Sequence, residues 1–446
     1  MEELTLAVGD IIVGMDIGTS KISLVIGEVN NFGQIETICS ASNMCNGIKK
    51  GKIINEEEVI RTIVKTIEDA ETDSDLKINS AYITIHGKDV TIVQNSVTKE
   101  VKDRYAGISA KDVSSAIMQA KDIDVPENKT IIDIVAEKFI LDDGKTISDP
   151  IGSFCASFTL KAQIVLANKE YIRQIHNIFR KADLEIDGIV PITLAEKNVV
   201  LDTNELNDNI MILDIGAGNT EIGVFEGTEF IYTNTIPLGG DNITNDIALV
   251  LNISVEEADK LKKQYGLAMK SYIDNDNEIM LNTCKDENKN KIIKSSELIE
   301  IIEARIEEMF KLINDDITAH GVKQRINNVV LTGQGIVNIS KSDVAGKVIL
   351  NIPVKISTGR MVSTIRPGYR TAYALVRYVA SRQFAKNVSS SIDTHSEKSI
   401  VKVILETCLL TEDEIRRMES DEVLIICNNK KPVKDTLNPI YVGVGA

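Results

Sequence analysis

Ile11-Ile12-Val13-Gly14-Met15-Asp16-Ile17-Gly18-Thr19-Ser20-Lys21 is an apolar run that breaks at a glycine, and Ile210-Met211-Ile212-Leu213-Asp214-Ile215-Gly216-Ala217-Gly218-Asn219 repeats its pattern. Each reads as a buried strand ending in Asp-Ile-Gly and turning into a second, alternating strand. Those second strands are Ile22-Ser23-Leu24-Val25-Ile26-Gly27-Glu28 and Thr220-Glu221-Ile222-Gly223-Val224-Phe225-Glu226. The copies lie about two hundred positions apart, the scale of one domain. The repeat predicts a duplicated α/β fold with one such hairpin per half. A third strand-to-glycine turn follows at Val329-Val330-Leu331-Thr332-Gly333-Gln334-Gly335.

A tight turn with glycine where the backbone approaches a ligand aims successive N–H groups at one point, and such a nest binds phosphate. Gly18, Thr19, Ser20 and Lys21 supply N–H, hydroxyl and ammonium donors; Gly216, Ala217, Gly218 and Asn219 supply N–H and amide donors. Two such hairpins face to face clamp a polyphosphate from both sides. Asp16 and Asp214 end their strands at equivalent places, and two carboxylates beside a polyphosphate suit Mg²⁺. A lone Asp-Ile-Gly is usually only a turn; the weight rests on two matched copies plus the third turn. Competing signatures fail. The Gly-x-x-x-x-Gly-Lys-Ser/Thr loop is missing, and Glu221 stands where the dinucleotide fingerprint after Gly216-x-Gly218 needs glycine. His86, His176, His320 and His395 are scattered and read as structural or surface groups.

The 446 residues suggest two to four lobes. A net charge of −16 without a local basic patch argues against nucleic acid as partner. The six cysteines form no zinc or disulfide spacing, which fits reduced thiols in a cytoplasmic protein. No apolar run is long enough for a transmembrane helix.

Helical spacing of apolar residues predicts helices over 56–70, 109–122, 171–182, 256–265, 295–317 and 369–380. Residues 79–86 and 186–190 read as strands. Residues 87–165 read as an inserted unit with strands over 90–93, 96–101, 131–135, 139–141 and 158–166. Residues 274–290 read as a polar loop or ragged hairpin.

At these residues the chain resembles the actin/DnaK-type ATPase superfamily, and within it the FtsA family of bacterial division proteins. The first phosphate motif would be Asp16 to Lys21, the second Asp214 to Thr220, and the adenosine motif Leu331 to Gly335, in the family's order over residues 10 to 385. Ser80-Ala81-Tyr82-Ile83-Thr84-Ile85-His86-Gly87-Lys88 and the Pro150-Ile151-Gly152 turn resemble the borders of the FtsA-type insertion. The resemblance implies an actin-like duplicated fold of two lobes, with ATP and Mg²⁺ in the cleft between them. The first lobe spans 10–86 and 166–205, the insertion subdomain 87–165, and the second lobe 206–385, with 241–320 as its outer part. A linker (386–399) and a tail (400–446) follow. Gly333, Gln334 and Gly335 would face the adenosine; Asp259 and Lys262, on a helix resembling one that reaches the nucleotide, would touch ribose or base. Arg305 matches a helix that helps receive the C-terminal peptide of FtsZ, and Glu308 is its one near acidic partner within that helix.

The same resemblance implies self-assembly into filaments and contacts with other division proteins through the insertion. It also implies direct or indirect attachment to the inner face of the membrane at the division site. Ala217 and Asn219 depart from the usual Gly and Thr, and Gln334 from Gly. No carboxylate between residues 190 and 201 clearly matches the water-orienting group of active relatives, Glu196 being displaced, so little or no ATPase activity is expected. The end, Pro439-Ile440-Tyr441-Val442-Gly443-Val444-Gly445-Ala446, is not the family's basic amphipathic helix, and residues 400–410 are the other candidate for a membrane contact. The alternatives are an actin-fold relative in pilus assembly and a small-molecule kinase or activator ATPase.

Overall fold

The computed structural model describes residues 10–30, 35–101, 107–281, 291–357, 366–392, 422–425 and 433–436. Two five-stranded sheets carry the repeat. The first runs Ile35–Met44, Lys21–Val29, Ile11–Ile17, Ser80–Ile85, Glu185–Pro191, and the second Glu229–Ile236, Thr220–Glu226, Ile210–Ile215, Asn328–Thr332, Val354–Ile356. In both, the first three strands form an antiparallel meander and the next two join in parallel. The architecture is mixed α/β, and the duplication read from sequence is present as a duplicated sheet topology.

Parallel neighbours need crossovers, and helices supply them. Helix Glu56–Ser74 starts where Asn55 accepts a hydrogen bond from the Glu58 N–H, with Glu56, Glu57 and Glu58 at its positive end. It buries Val59, Ile63, Ile67 and Ala70 against the first sheet. Helices Gly240–Leu251, Val255–Tyr265 and Ser295–Ala319 fill the corresponding crossover of the second half. Their apolar faces share one core with the second sheet, centred on Ile243, Leu298, Ile306 and Phe310.

Two further helices lie between the sheets. Ile192–Val200 follows the last strand of the first half but packs on strands of the second, and Arg370–Ile392 follows the second half but packs on Ile11–Ile17 and Lys21–Val29. They also pack against each other, in a core that includes Val25, Leu194, Ile212, Ala372 and Val376. Gly14 and Gly223 permit the approach. A Cβ at Gly14 would stand 2.8 Å from the Ala372 carbonyl oxygen, and one at Gly223 would stand 2.3 Å from Thr193 Oγ1.

Residues between the two first-half segments form a four-stranded sheet, Val90–Glu100, Ser157–Asn168, Lys129–Leu141 and Thr146–Ile147, covered by helix Ala110–Ala120. A reciprocal Ser109–Asp112 capping box starts that helix. The strands expected at 90–93 and 96–101 are one continuous strand, as are those at 131–135 and 139–141. In the second, register shifts opposite Lys161/Ala162 and Val165/Leu166 interrupt the alternation. The unit meets the second sheet at Gln163. Its amide donates to the Phe230 carbonyl at 2.9 Å and accepts from the Phe230 N–H at 3.3 Å, like one rung of an added strand.

Residues 278–281 and 291–294 pair as a hairpin, and 282–290 lie outside the described residues. Helix Arg370–Ile392 runs into the stretch expected as a linker over 386–399. In the tail, Glu422–Ile425 pairs with Val433–Thr436, while 400–410 and 439–446 lie outside the described residues. Among the described residues no helix is long and apolar enough to cross a membrane.

Gly14→Ala forces helix Arg370–Ile392 off the first sheet. It should destabilise the protein by about 1–3 kcal/mol, read from urea unfolding; an unchanged midpoint would refute the contact.

Candidate functional site

The two Asp-Ile-Gly hairpins close in the same way. Gly18 N donates to Lys21 O at 3.0 Å, and Gly216 N to Asn219 O at 2.9 Å. The loops touch, since a Cβ on Gly218 would lie 2.7 Å from Thr19 Cγ2. The Asn219 carboxamide accepts from the Gly51 N–H at 3.1 Å and donates to the Gly218 carbonyl at 2.9 Å. Lys88 Nζ holds the Gly51 carbonyl at 2.8 Å, so the small turn around Gly51 is strapped to both halves.

The third turn joins the second loop through backbone. Gly335 N donates to Ile215 O at 2.8 Å, and Gly240 N to Gly216 O at 2.9 Å. Gly333 has φ +96°, and a Cβ there would sit 2.4 Å from Asp214 Oδ1; on Gly335 it would sit 2.2 Å from Gly216 O. Any other residue at these positions pushes the turn away from the loop. Lys262, buried on helix Val255–Tyr265, donates to the Gly240 carbonyl at 3.1 Å and to Thr244 Oγ1 at 2.6 Å, and pairs with Asp259 at 3.1 Å. Gly18–Lys21, Gly216–Asn219, Gly333–Gly335, Lys262 and Asp259 are thus contiguous.

Arg305 is not part of this cluster. Its guanidinium grips Asp246 of helix Gly240–Leu251 in a two-bonded fork, at 2.5 and 3.0 Å, and also meets Glu308. The Glu308 partner expected within the helix is present, and Asp246 is a second acidic partner that the sequence did not give. Counting along one helix overlooks the helix packed beside it.

Beneath the loops lies a buried charge cluster. Asp16 Oδ1 accepts from Thr84 Oγ1 at 2.8 Å. Burial raises the Asp16 pKa; the Thr84 bond opposes that, while the Asp214 charge adds to it. Burial lowers that of Lys21, with Asp16 opposing and Arg370 assisting. Arg370, first residue of helix Arg370–Ile392, donates from Nη2 to Asp214 Oδ1 at 2.8 Å and to Glu196 Oε1 at 3.2 Å. Thr371 Oγ1 also donates to Glu196 Oε1, at 2.8 Å. Glu196 is fully buried and its Oε2 has no hydrogen-bond partner among the described residues. Burial and the Asp214 charge push its pKa up to about 8. Burial disfavours the Arg370 charge, but Glu196 and Asp214 outweigh that and hold it protonated.

For Mg²⁺ the donor set is uneven. Among the described residues no three His, Cys, Asp or Glu side chains form a metal cage. Magnesium beside a polyphosphate needs only one or two carboxylates, with phosphate oxygens and waters completing its shell. Asp16 fits that role. Asp214 has already given Oδ1 to Arg370.

Sequence reasoning overlooked Arg370 and the role of Glu221 here, and set Glu196 aside as displaced. Arg370 and Glu196 come from helices that each follow one half and pack on the other. The third, Glu221, sits one residue past the second loop's first strand position. Its carboxylate lies 2.7 Å from His86 Nδ1 and accepts from Gly87 N at 2.9 Å and Thr235 Oγ1 at 2.8 Å. The hint was an acidic residue directly before the apolar centre of the strand, Ile222–Phe225.

A family model described as "Cell division protein FtsA" matches residues 211–374, and one described as "SHS2 domain inserted in FTSA" matches residues 87–166. The chain is 26% identical over 398 residues to the cell division protein FtsA of Pseudomonas aeruginosa, covering 88% of this chain and 94% of that protein. It is 28% identical over 371 residues to the cell division protein FtsA of Bacillus subtilis, covering 83% of each. Among solved structures, a PilM-PilN type IV pilus biogenesis complex aligns with a TM-score of 0.53 at 14% identity, over 84% of this chain and 98% of that one, a likeness of fold alone.

The His86–Glu221 pair gives a pH dependence. Burial lowers the His86 pKa, but the Glu221 charge and hydrogen bond outweigh it and the net shift is upward. A raised folded-state pKa means that the pair's stability is fully present below the unfolded value of about 6.5 and fades as pH rises through the folded value. Urea unfolding of the parent and of His86→Gln, followed from about pH 6 to about pH 9, should show their stability gap shrinking. A constant gap would contradict it.

Proposed function

The chain belongs to the FtsA family of cell-division proteins, and on that premise we propose that it binds ATP between its two halves, self-assembles, and links the FtsZ ring to the cytoplasmic membrane. The family implies ATP use in general. The observation that carries the reading to these residues is the pair of hairpins, Gly18–Lys21 and Gly216–Asn219, closed by the same turn and set against each other.

In this reading the N–H groups of both loops, with Thr19, Ser20, Lys21 and Asn219, take the phosphates. Asp16 faces the cation, which supplies charge neutralisation among phosphate oxygens when bound. Gly333, Gln334 and Gly335 form the floor for the adenosine, and Lys262 with Asp259 borders it. Because the loops touch at Gly218 and Thr19, a polyphosphate between them separates the hairpins, which links nucleotide occupancy to the spacing of the halves. Arg305, already paired to Asp246, presents the basic group of an acidic-peptide site for the FtsZ C-terminus. The insertion offers its own surface to other division proteins.

A small-molecule kinase needs an acid or base beside the transferred phosphate. Glu196 is the buried carboxylate nearest that description, and Arg370 and Thr371 already occupy one of its oxygens. That disfavours the enzyme reading and fits weak hydrolysis.

Co-sedimentation with ATP-Mg²⁺, with liposomes and with an FtsZ C-terminal peptide tests the whole reading. ATP-dependent pelleting that rises with liposomes, together with peptide binding, supports it; a protein indifferent to both lipid and peptide does not. At the site, Asp16→Ala should weaken Mg²⁺-ATP binding by about tenfold or more, with circular dichroism unchanged. Unaltered affinity would remove Asp16 from the site.

A further inference from the structure

We propose that Lys88, with the Lys50–Gly51 turn that it holds, distinguishes a nucleoside triphosphate from a diphosphate in this chain by meeting the terminal phosphate. The inference rests on the ATP-site reading above and adds a third wall to the two Asp-Ile-Gly loops.

The wall is a tight hairpin. Ile48–Lys49 pairs with Lys52–Ile53, and Lys50 and Gly51 between them have φ +52° and +65°. Two consecutive left-handed residues are the mark of a two-residue hairpin turn. Its tip lies where the phosphate loops meet. The Asn219 carboxamide that accepts the Gly51 N–H at 3.1 Å also lies 3.4 Å from Thr19 Oγ1. The first loop, the second loop and the Gly51 turn therefore converge on one side chain. A Cβ on Gly51 would stand 2.8 Å from that carboxamide and 2.9 Å from Lys88 Nζ, so carboxamide and ammonium flank the same point.

Lys88 is fixed from the second sheet. Its N–H donates to Thr235 Oγ1 at 3.0 Å, and the Gly87 N–H before it donates to Glu221 at 2.9 Å. Its ammonium donates to the Gly51 carbonyl at 2.8 Å and to the Lys50 carbonyl at 3.2 Å, both neutral acceptors. An ammonium carries three donors, which leaves one for a ligand. Among the described residues it pairs with no carboxylate. Burial lowers the Lys88 pKa, the charges of Asp89 and Glu221 oppose that through space, and Lys52 assists it. Glu221 is already committed to His86, Gly87 and Thr235. A half-buried cation without a bonded counter-ion gains from an anion that reaches it, through a charge-assisted hydrogen bond.

Position selects the terminal phosphate. The adenosine turn meets the second loop at Gly216, where Gly335 closes on the carbonyl oxygen, and the Gly51 turn meets the same loop at Asn219. These contacts lie on opposite arms of the hairpin, Gly216 following Ile210–Ile215 and Asn219 preceding Thr220–Glu226. A nucleotide seated on the adenosine side crosses the loop and ends toward Gly51 and Lys88. The last phosphate of a triphosphate reaches this wall, and a diphosphate, one unit shorter, stops before it. The polyphosphate that parts the loops also draws Asn219 away from Gly51, and the Gly51 N–H becomes a second donor.

Isothermal titration of the full chain with ATP and with ADP, both in magnesium chloride, tests this. We expect the parent to bind ATP about tenfold or more tighter than ADP, and Lys88→Met to lose about tenfold for ATP and less than about twofold for ADP. Lys88→Gln, which keeps a donor for the Gly51 carbonyl but no charge, should show the same loss of preference, and it carries the test if Lys88→Met does not fold. A purely structural Lys88 would lower both affinities equally. An unchanged ratio of ATP to ADP affinity in a folded variant overturns the inference, as does a parent that binds the two alike. A parent that binds neither nucleotide overturns the ATP-site reading itself, a distinct outcome.

Discussion

The packing of helix Ile192–Val200 against helix Arg370–Ile392 is the contact on which the site depends. Each helix continues from one half of the duplication and lies on the strands of the other. Their shared core includes Leu194, Val199, Ala372 and Val376 together with Val25 and Ile212, one residue from each sheet's central hairpin. The two phosphate-loop candidates are tips of those hairpins. Their spacing is thus a property of side-chain packing several residues below, where interiors are close-packed and resist small displacements. The same helices deliver Glu196 and Arg370 to the point where the hairpins meet, so the charge cluster and the packing are two ends of one arrangement.

Missing side chains matter as much as those present. The loop at Gly216, the helix start at Gly240 and the turn at Gly333–Gly335 approach backbone to backbone. Lys262 then closes over the Gly240 carbonyl, at the end of the helix where unpaired N–H groups gather. The glycines that make the sequence motif recognisable are those required by this approach. Gln334, which departs from the family pattern, lies between two such glycines, where the close contacts fall on its neighbours.

Much of the fold was legible because its signals are local. Ile11–Ile17 and Ile210–Ile215 are short buried strands in a contiguous run, and their turns follow at once. What escaped was either exposed or buried on all sides. Strand Ile35–Met44 is an edge strand with most positions at least partly exposed, so no alternation marks it. Helix Ile192–Val200 buries nearly every residue between the sheets, including Glu196 and Lys197, and therefore has no polar face to give helical contrast. The site divided similarly. The loops carry their chemistry within a few consecutive residues. Arg370–Asp214, Arg370–Glu196, His86–Glu221 and Arg305–Asp246 are pairs made only by tertiary packing, which leaves no periodic trace in the chain.

The placement of these charges resolves a tension in the composition. A chain of net charge −16 repels a polyphosphate from a distance. Scattered surface lysines do little against that field, because salt screens them. Charges set in the interior are screened far less. Lys21, partly buried and with its pKa lowered by burial, places an ammonium at the first loop, while the Arg370 charge is balanced by the buried carboxylates of Asp214 and Glu196. The backbone N–H groups of both hairpins add fixed dipoles pointing the same way. The acidic exterior and these donors at the loops are then compatible. Under the proposed reading, a phosphate chain that enters between the hairpins meets the Lys21 ammonium and the backbone N–H groups that favour it.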